Sequence, residues 1–382
     1  MKIVCLSNYF NHHQSCLSNA FDVDERVDYA FVSTIAMPKQ RKKLGYSNDE
    51  MPPYVCESFL NEREKERAEQ LLTEADVVIA GSAPEQMVQQ CILQKKLLFR
   101  YSERPLKRGL ELLKYPVRFI RWRRQNPEKK PIYMLCASAF TPTDYAKFGL
   151  FKNKTYKWGY FPETKHYDID DLINKKSRTT ILWCGRFLDW KHPEQVVEVA
   201  SRLRDAGYDF ELQFVGVGEI EAQIKEMVAD FDLQSHVNFL GSMKPEQVRE
   251  RMEKAGIYLF TSDRQEGWGA VLNESMNSGC AVVASHAIGA VPFLVEDSRN
   301  GLVYESGNVD MLYEKVKFLL DNPEKQALLG KNAYDTIINE WNAEEAAKRL
   351  VNLAEHILAG EKNPDLYENG PCSKAGKQKE AF

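Results

Sequence analysis

Ile257-Tyr258-Leu259-Phe260 is followed, three residues on, by Arg264-Gln265-Glu266-Gly267-Trp268-Gly269-Ala270-Val271-Leu272-Asn273-Glu274-Ser275-Met276. An apolar strand, a loop with two glycines and a helix pattern follow one another without a break. In a parallel α/β sheet that order puts the loop at the carboxyl edge of the strands, where ligands of such sheets bind. Gly267 and Gly269 let a ligand come close to backbone N–H groups. At a helix N-terminus those groups favour phosphate. Glu266 lies in the loop and Glu274 about one turn into the helix, facing the same crevice. A carboxylate accepts hydrogen bonds from two adjacent hydroxyls, which suits a ribose or a hexose. Taken singly, each glutamate reads better as a helix cap or a helix-surface residue than as a ligand contact.

Outward from this stretch, short apolar runs alternate with longer amphipathic ones. Expected strands are Lys2–Leu6, Val77–Ala80, Leu97–Tyr101 and Ile132–Cys136, then Thr180–Cys184, Glu211–Val215, Val237–Leu240, Ile257–Phe260, Ala281–Ala284 and Leu302–Tyr304. Their continuous hydrophobicity suits strands covered on both faces. Helix patterns lie between them: one opens at Pro193 and closes at Gly207, and others cover Glu219–Asp232 and Pro245–Ala255. The alternation predicts doubly wound α/β units. The expected organisation is an N-terminal domain over 1–161, a linker over 162–178 and a second domain over 179–340. A C-terminal helix over 341–360 and a disordered tail over 361–382, rich in Lys, Gly and Pro, complete it. Asp168-Ile169-Asp170 has the form of a metal-binding DxD, but such short patterns recur by chance. We expect no metal site and no cofactor.

The chain has 382 residues, 43% hydrophobic and 28% charged, as for a soluble globular protein of two domains. A net charge of −4 gives no general affinity for nucleic acid. The 8 cysteines show no metal-type spacing, and several lie in apolar runs, which suits reduced thiols in a cytoplasmic protein. The first apolar run is too short for a signal peptide or a membrane span, so any membrane contact is expected at the surface, at the inner face.

Two glutamates with seven residues between them, a Gly-rich turn and the later Gly279-Cys280-Ala281-Val282-Val283-Ala284 together resemble the signature of family 4 glycosyltransferases. The resemblance is strong over about residues 178–340. It implies the GT-B fold, two Rossmann-like doubly wound domains facing a cleft, and transfer of a sugar from a nucleotide diphosphate with retention of configuration. By the same resemblance Glu266 contacts the donor sugar and Glu274 the nucleotide ribose. Gly267, Trp268, Gly269, Ala270 and Val271 would border the donor.

Two further motifs agree with it. Strand Thr180–Cys184 runs into Gly185-Arg186-Phe187-Leu188-Asp189-Trp190-Lys191-His192, which is similar to the family's Gly-Arg, four residues, Lys loop. Arg186 and Lys191 would stabilise the leaving diphosphate by charge-assisted hydrogen bonds, without a metal. The family usually has glycine where this chain has His192. Phe214-Val215-Gly216-Val217-Gly218-Glu219 matches the family's Val-Gly-x-Gly turn beside the nucleotide. As a dinucleotide fingerprint it lacks the third glycine, since position 221 is Glu221. Gly241 and Met243, in Leu240-Gly241-Ser242-Met243, resemble the segment that reads the base, or an ordinary turn.

On the acceptor side, His12 and His13 follow the first strand and either bind a hydroxyl or are merely exposed. Glu103 follows Leu97–Tyr101 and could orient the acceptor hydroxyl; Arg104 could equally be its ion-pair partner. Residues Arg104–Lys130 carry ten cations against Glu111 and Glu128, with Phe119, Trp122 and aliphatic residues between them. That composition suits either a helix on an anionic membrane surface or a solvated helix with its apolar face in the core. Expected partners are a nucleotide-sugar donor, UDP by default, and a glycan or lipid-linked acceptor of bacterial surface-glycan type. Sugar-nucleotide epimerisation, phosphorolysis and a non-catalytic scaffold remain the alternatives on this fold. A scaffold would be expected to lose Glu266, Glu274, Arg186 or Lys191, and all four are present.

Overall fold

The computed structural model describes residues 1–38 and 51–380. The expected strands form two parallel sheets. The first runs β1 (Lys2–Ser7), β2 (Asp28–Ser33), β3 (Val55–Glu57), β4 (Val77–Ala80), β5 (Leu97–Ser102), β6 (Ile132–Cys136) and β7 (Thr155–Lys157). Its spatial order is β3-β2-β1-β4-β5-β6-β7. The second runs β8 (Ser177–Cys184), β9 (Glu211–Val215), β10 (Val237–Phe239), β11 (Ala255–Phe260), β12 (Ala281–Ser285) and β13 (Leu302–Tyr304), in the order β10-β9-β8-β11-β12-β13. In both sheets the chain winds outward from the first strand, then returns to that strand's other side and winds the opposite way. This is the doubly wound arrangement, with switch points between β1 and β4 and between β8 and β11.

Buried apolar runs explain the strands. Ile181, Trp183, Leu212, Phe214, Ile257, Leu259, Ala281 and Val283 alternate into one core, with Val196, Val197, Leu203, Leu312 and Val316 from the helices above them. Helix Pro193–Asp205 starts on a proline whose missing N–H costs nothing in the first turn. It ends before Gly207, at φ +78°, a left-handed backbone that glycine adopts without strain. Three strands escaped the sequence pattern. β2 has polar ends, and β3 and β7 are three residues long, at or near the sheet edges.

The chain divides into two compact units: 1–163 with 342–379, and 164–341 with 380–382. Helix Ala343–Leu358 therefore belongs with the first unit, where it packs on helix His12–Asp22. The linker expected over 162–178 is not a bare solvated segment. It holds helix Ile169–Lys175, and Lys176 is buried with its Nζ donating to the carbonyls of Met252 (2.7 Å) and Ala255 (2.9 Å). Asp168 caps that helix by accepting from Asp171 N, and Asp170 pairs with Lys331, so the DxD pattern is used structurally.

The tail is also corrected. Residues 361–379 pack on the first unit instead of being disordered. Cys372 N donates to Lys157 O (2.8 Å), Ala375 N to Thr155 O (3.0 Å) and Tyr156 Oη to Pro364 O (2.9 Å). Ser373 and Cys372 are buried. Polar composition reads as solvated, but here the backbone groups cover the open edge of β7.

Candidate functional site

In the second unit the loops leaving β8, β9 and β11 meet at the switch point between β8 and β11. Glycine makes their approach possible. A Cβ on Gly216 (φ +132°) would lie 1.9 Å from Gly185 O, and one on Gly218 2.3 Å from Phe187 O. Any side chain at either position would collide with backbone. The turns are tied by Gly185 N donating to Val215 O (3.0 Å), Phe187 N to Val217 O (3.2 Å) and Gly216 N to Gly241 O (2.8 Å). Phe187 anchors the Arg186 loop from below, fully buried against Trp183 and Phe214. Arg186 itself is exposed.

The loops after β8 and β11 are joined more tightly. Lys191 Nζ donates to Glu266 Oε2 at 2.5 Å, with both side chains largely buried. Ser262 Oγ donates to the same oxygen (3.1 Å). The ammonium also lies 4.8 Å from the centre of the Trp190 ring. Thr261 Oγ1 donates to Lys191 O (2.6 Å), and Asp263 N to Trp190 O (2.9 Å). Lys191 and Glu266, 75 residues apart in sequence, are thus brought into contact by the β8–β11 pairing.

His192 occupies the next position, in the left-handed region at φ +52°. Its Nδ1 is 2.8 Å from Glu194 Oε1 and its Nε2 3.6 Å from Asp263 Oδ2. Hydrogen bonding to Asp263 and then to Glu194 raises its pKa to about 9, against the opposing effect of burial. Burial pushes the Asp263 carboxyl up, but the hydrogen bonds from His192 and Gln265 outweigh it and hold the group below its usual range. An imidazolium therefore bridges the two loops at neutral pH. Neither His192 and its partner Asp263, nor Ser262 beside Glu266, was singled out for a role from sequence. The one available signal was a histidine where the family has glycine.

Glu274 sits in helix Val271–Asn277, partly exposed. Burial raises the Cys184 thiol at the end of β8 to about 12, with the Glu274 charge adding to it. The buried Tyr258 hydroxyl on β11 is raised by burial foremost, with Glu274 and Glu266 among the charges that add to it. Both carboxylates thus bear on the same sheet end. Arg249, buried, donates to Glu274 O (2.8 Å), Asn277 Oδ1 and Ser278 Oγ, which fixes that helix from behind. Gly269 (φ +87°) lies against Phe260, where a Cβ would be 2.3 Å from the ring. Ala270 and Val271 are partly exposed, and Gly267 is buried. The expected donor contact of Trp268 is corrected. Its indole is fully buried, donating to Asn273 Oδ1 (2.9 Å) and packing on Trp341, so only its backbone faces the loop. Gly241 (φ +69°) and Met243 are half-buried after β10.

In the first unit, His12 and His13 form the first turn of their helix, capped by Asn11 accepting from His13 N (2.9 Å). Their rings lie 3.9 Å apart. Glu103 accepts from Tyr160 Oη (2.7 Å) and pairs with Lys107. Arg104 is not its partner. It is buried, held by Asp144 at 3.1 and 3.3 Å and stacked over Phe140, and cannot reach an acceptor. Asp144 is likewise fully buried and accepts from Leu106 N, so this pair is structural.

Two Rossmann-like domains with these loops define the GT-B class of fold. Residues 167–336, within the second unit, match the family model described as glycosyl transferases group 1. Among curated relatives, the amylovoran biosynthesis glycosyltransferase AmsK of Erwinia amylovora is 26% identical over 206 residues, 53% of this chain and 50% of its own. The GDP-mannose-dependent monoacylated alpha-(1-6)-phosphatidylinositol monomannoside mannosyltransferase of Corynebacterium glutamicum is 28% identical over 182 residues, 46% and 47%. The chain spans about half the length of the curated relatives it matches. Among solved structures, HepE of Anabaena in complex with UDP has a TM-score of 0.68 at 16% identity, covering 93% of this chain and all of its own. TarM of Staphylococcus aureus has 0.66 at 11% identity, covering 92% and 99%.

Proposed function

We propose that the chain is a retaining glycosyltransferase of the family 4 type that moves a sugar from a UDP-sugar to a glycan or lipid-linked acceptor. The observation that carries this is the Lys191–Glu266 contact at the β8–β11 switch point, with Arg186 on the same glycine-constrained loop. A diphosphate seated there meets two cations, and the sugar beyond it meets Glu266. Glu274 takes the ribose hydroxyls. The comparisons support the reading: HepE was solved with UDP, and AmsK is a glycosyltransferase of amylovoran biosynthesis.

In the proposed reaction the bond from the anomeric carbon to the diphosphate breaks first. Negative charge then develops on the diphosphate, where Arg186 and Lys191 act; stabilisation that grows in the transition state accelerates the step. A diphosphate oxygen accepts the proton of the acceptor hydroxyl, which attacks on the same face, so configuration is retained. The chemistry is proposed to need no divalent cation. His12, His13 and Glu103 are the acceptor-side candidates. No helix among the described residues is long and apolar enough to cross a membrane. We place the enzyme in the cytoplasm, peripheral at an anionic membrane face, because of the cations over 104–130.

Calorimetry with UDP, GDP and ADP tests the donor assignment. Binding of UDP in preference to the others supports it. Binding of another nucleotide alone replaces the base, and binding of none refutes the site.

A further inference from the structure

We infer that the segment Leu110–Arg124 is a docking ridge for an anionic lipid bilayer, in which aliphatic side chains enter the interface and flanking arginines meet the headgroups. The inference rests on the peripheral location proposed above and deepens it to named residues.

The composition alone points to Phe119 and Trp122 as the interfacial residues, and the structure turns them inward. Trp122 packs on Phe148 (4.6 Å between ring centres) and Tyr145 (5.3 Å), while Tyr115 stacks on Phe148 at 5.0 Å. Arg123 lies over the Phe119 ring at 5.4 Å. The aromatic face of helix Tyr115–Gln125 is thereby used to hold the helix on the first unit.

What remains outside is aliphatic. Leu113 is 97% exposed, Leu112 75%, Val117 69% and Ile120 53%, with Leu110 beside them. Among the described residues fourteen large apolar side chains are exposed, and five of them fall within these eleven positions. Isolated exposed leucines are ordinary; a continuous group marks a binding surface. Leu112 and Leu113 stand on a single turn ahead of the helix. Val117, Ile120, Arg121 and Arg124 recur at the spacing of one helix face.

The charge beside the ridge selects the partner. Arg108, Arg121, Arg124 and Lys129 are exposed, and among the described residues no ion pair holds them. The one carboxylate within the ridge, Glu111, is engaged by Lys114 (2.7 Å) and Arg118 (2.8 Å). An apolar strip with unpaired cations on its flank fits a surface that is apolar within and anionic at its rim. That is the description of an interfacial amphipathic helix on acidic lipid.

The test is co-sedimentation with vesicles of phosphatidylcholine containing about a quarter phosphatidylglycerol, and with phosphatidylcholine alone. The proteins are wild type, Leu112→Ser/Leu113→Ser/Val117→Ser, and Arg108→Gln/Arg121→Gln/Arg124→Gln. All these positions are exposed, and melting curves check that the fold is kept. Wild type is expected on the acidic vesicles. The aliphatic variant is expected to lose at least roughly tenfold in partition for each leucine removed from the interface. The arginine variant is expected to lose roughly fivefold per cation, and high salt to imitate it. Wild type and aliphatic variant binding equally would overturn the ridge while leaving peripheral binding in place. Wild type binding neither vesicle removes both. A wild-type dimer in solution that the aliphatic substitutions dissociate, with no vesicle binding, would assign the ridge to a second copy of the chain and overturn the lipid assignment.

Discussion

His192 offers a perturbation whose sign can be worked out beforehand. Its imidazolium bridges Glu194 and Asp263, and its pKa rises from 6.5 to about 9. A folded value above the unfolded one means that the folded state holds the proton more tightly. The resulting stability is fully present below pH 6.5 and is lost as the pH climbs through about 9. The upper limit for such a rise is about 3 kcal/mol. The ring is 27% exposed, so solvent screening brings the expected contribution to about 1–2 kcal/mol. His192→Gln keeps a residue of similar left-handed strain and removes the charge, so the backbone cost cancels in the comparison. Urea unfolding of both proteins at pH 6, 7.5 and 9.5 gives the difference directly. Wild type should exceed the variant by about 1–2 kcal/mol at the lowest pH, and the gap should close at the highest. A gap independent of pH, or one that widens with pH, would refute the imidazolium bridge. So would a His192 ring signal titrating near 6.5 in a nuclear magnetic resonance pH series.

Other perturbations follow from the same loops. Glu274→Ala should weaken nucleoside diphosphate binding roughly 10–100-fold in calorimetry with the fold unchanged, the scale of losing hydrogen bonds to a charged acceptor; unchanged affinity would remove Glu274 from the ribose. Arg186→Ala or Lys191→Ala should lower kcat roughly 10²–10³-fold. Full activity in Lys191→Ala, or complete loss of wild-type activity in a chelator, would contradict metal-free stabilisation of the diphosphate. Gly216→Ala should destabilise by at least about 2 kcal/mol in urea, because its Cβ meets Gly185 O at 1.9 Å and its φ is +132°; a wild-type midpoint would show that the two loops can part.

The doubly wound strands were legible because a strand covered on both faces must be apolar along its whole length, as Ile257–Phe260 and Ala281–Ala284 are. The glycine-bearing loops after β8, β9 and β11 were legible because glycine spacing and carboxylate position are local features, and here Glu266, Glu274, Arg186 and Lys191 stand close to the strands that carry them. What tertiary structure alone decided is which of these residues touch. The pairing of β8 with β11 sets Lys191 on Glu266, and no local pattern records a contact across 75 residues. It also decided direction. Trp268 and Arg104 lie in the right loops, yet core packing turns the one toward Trp341 and a buried carboxylate holds the other. Phe119 and Trp122 turn inward for the same reason, leaving leucines outside. The tail from Glu361 shows the limit most plainly. Its composition lacks the apolar content of a core segment, but an unpaired strand edge supplies hydrogen-bond partners that only the folded sheet can present.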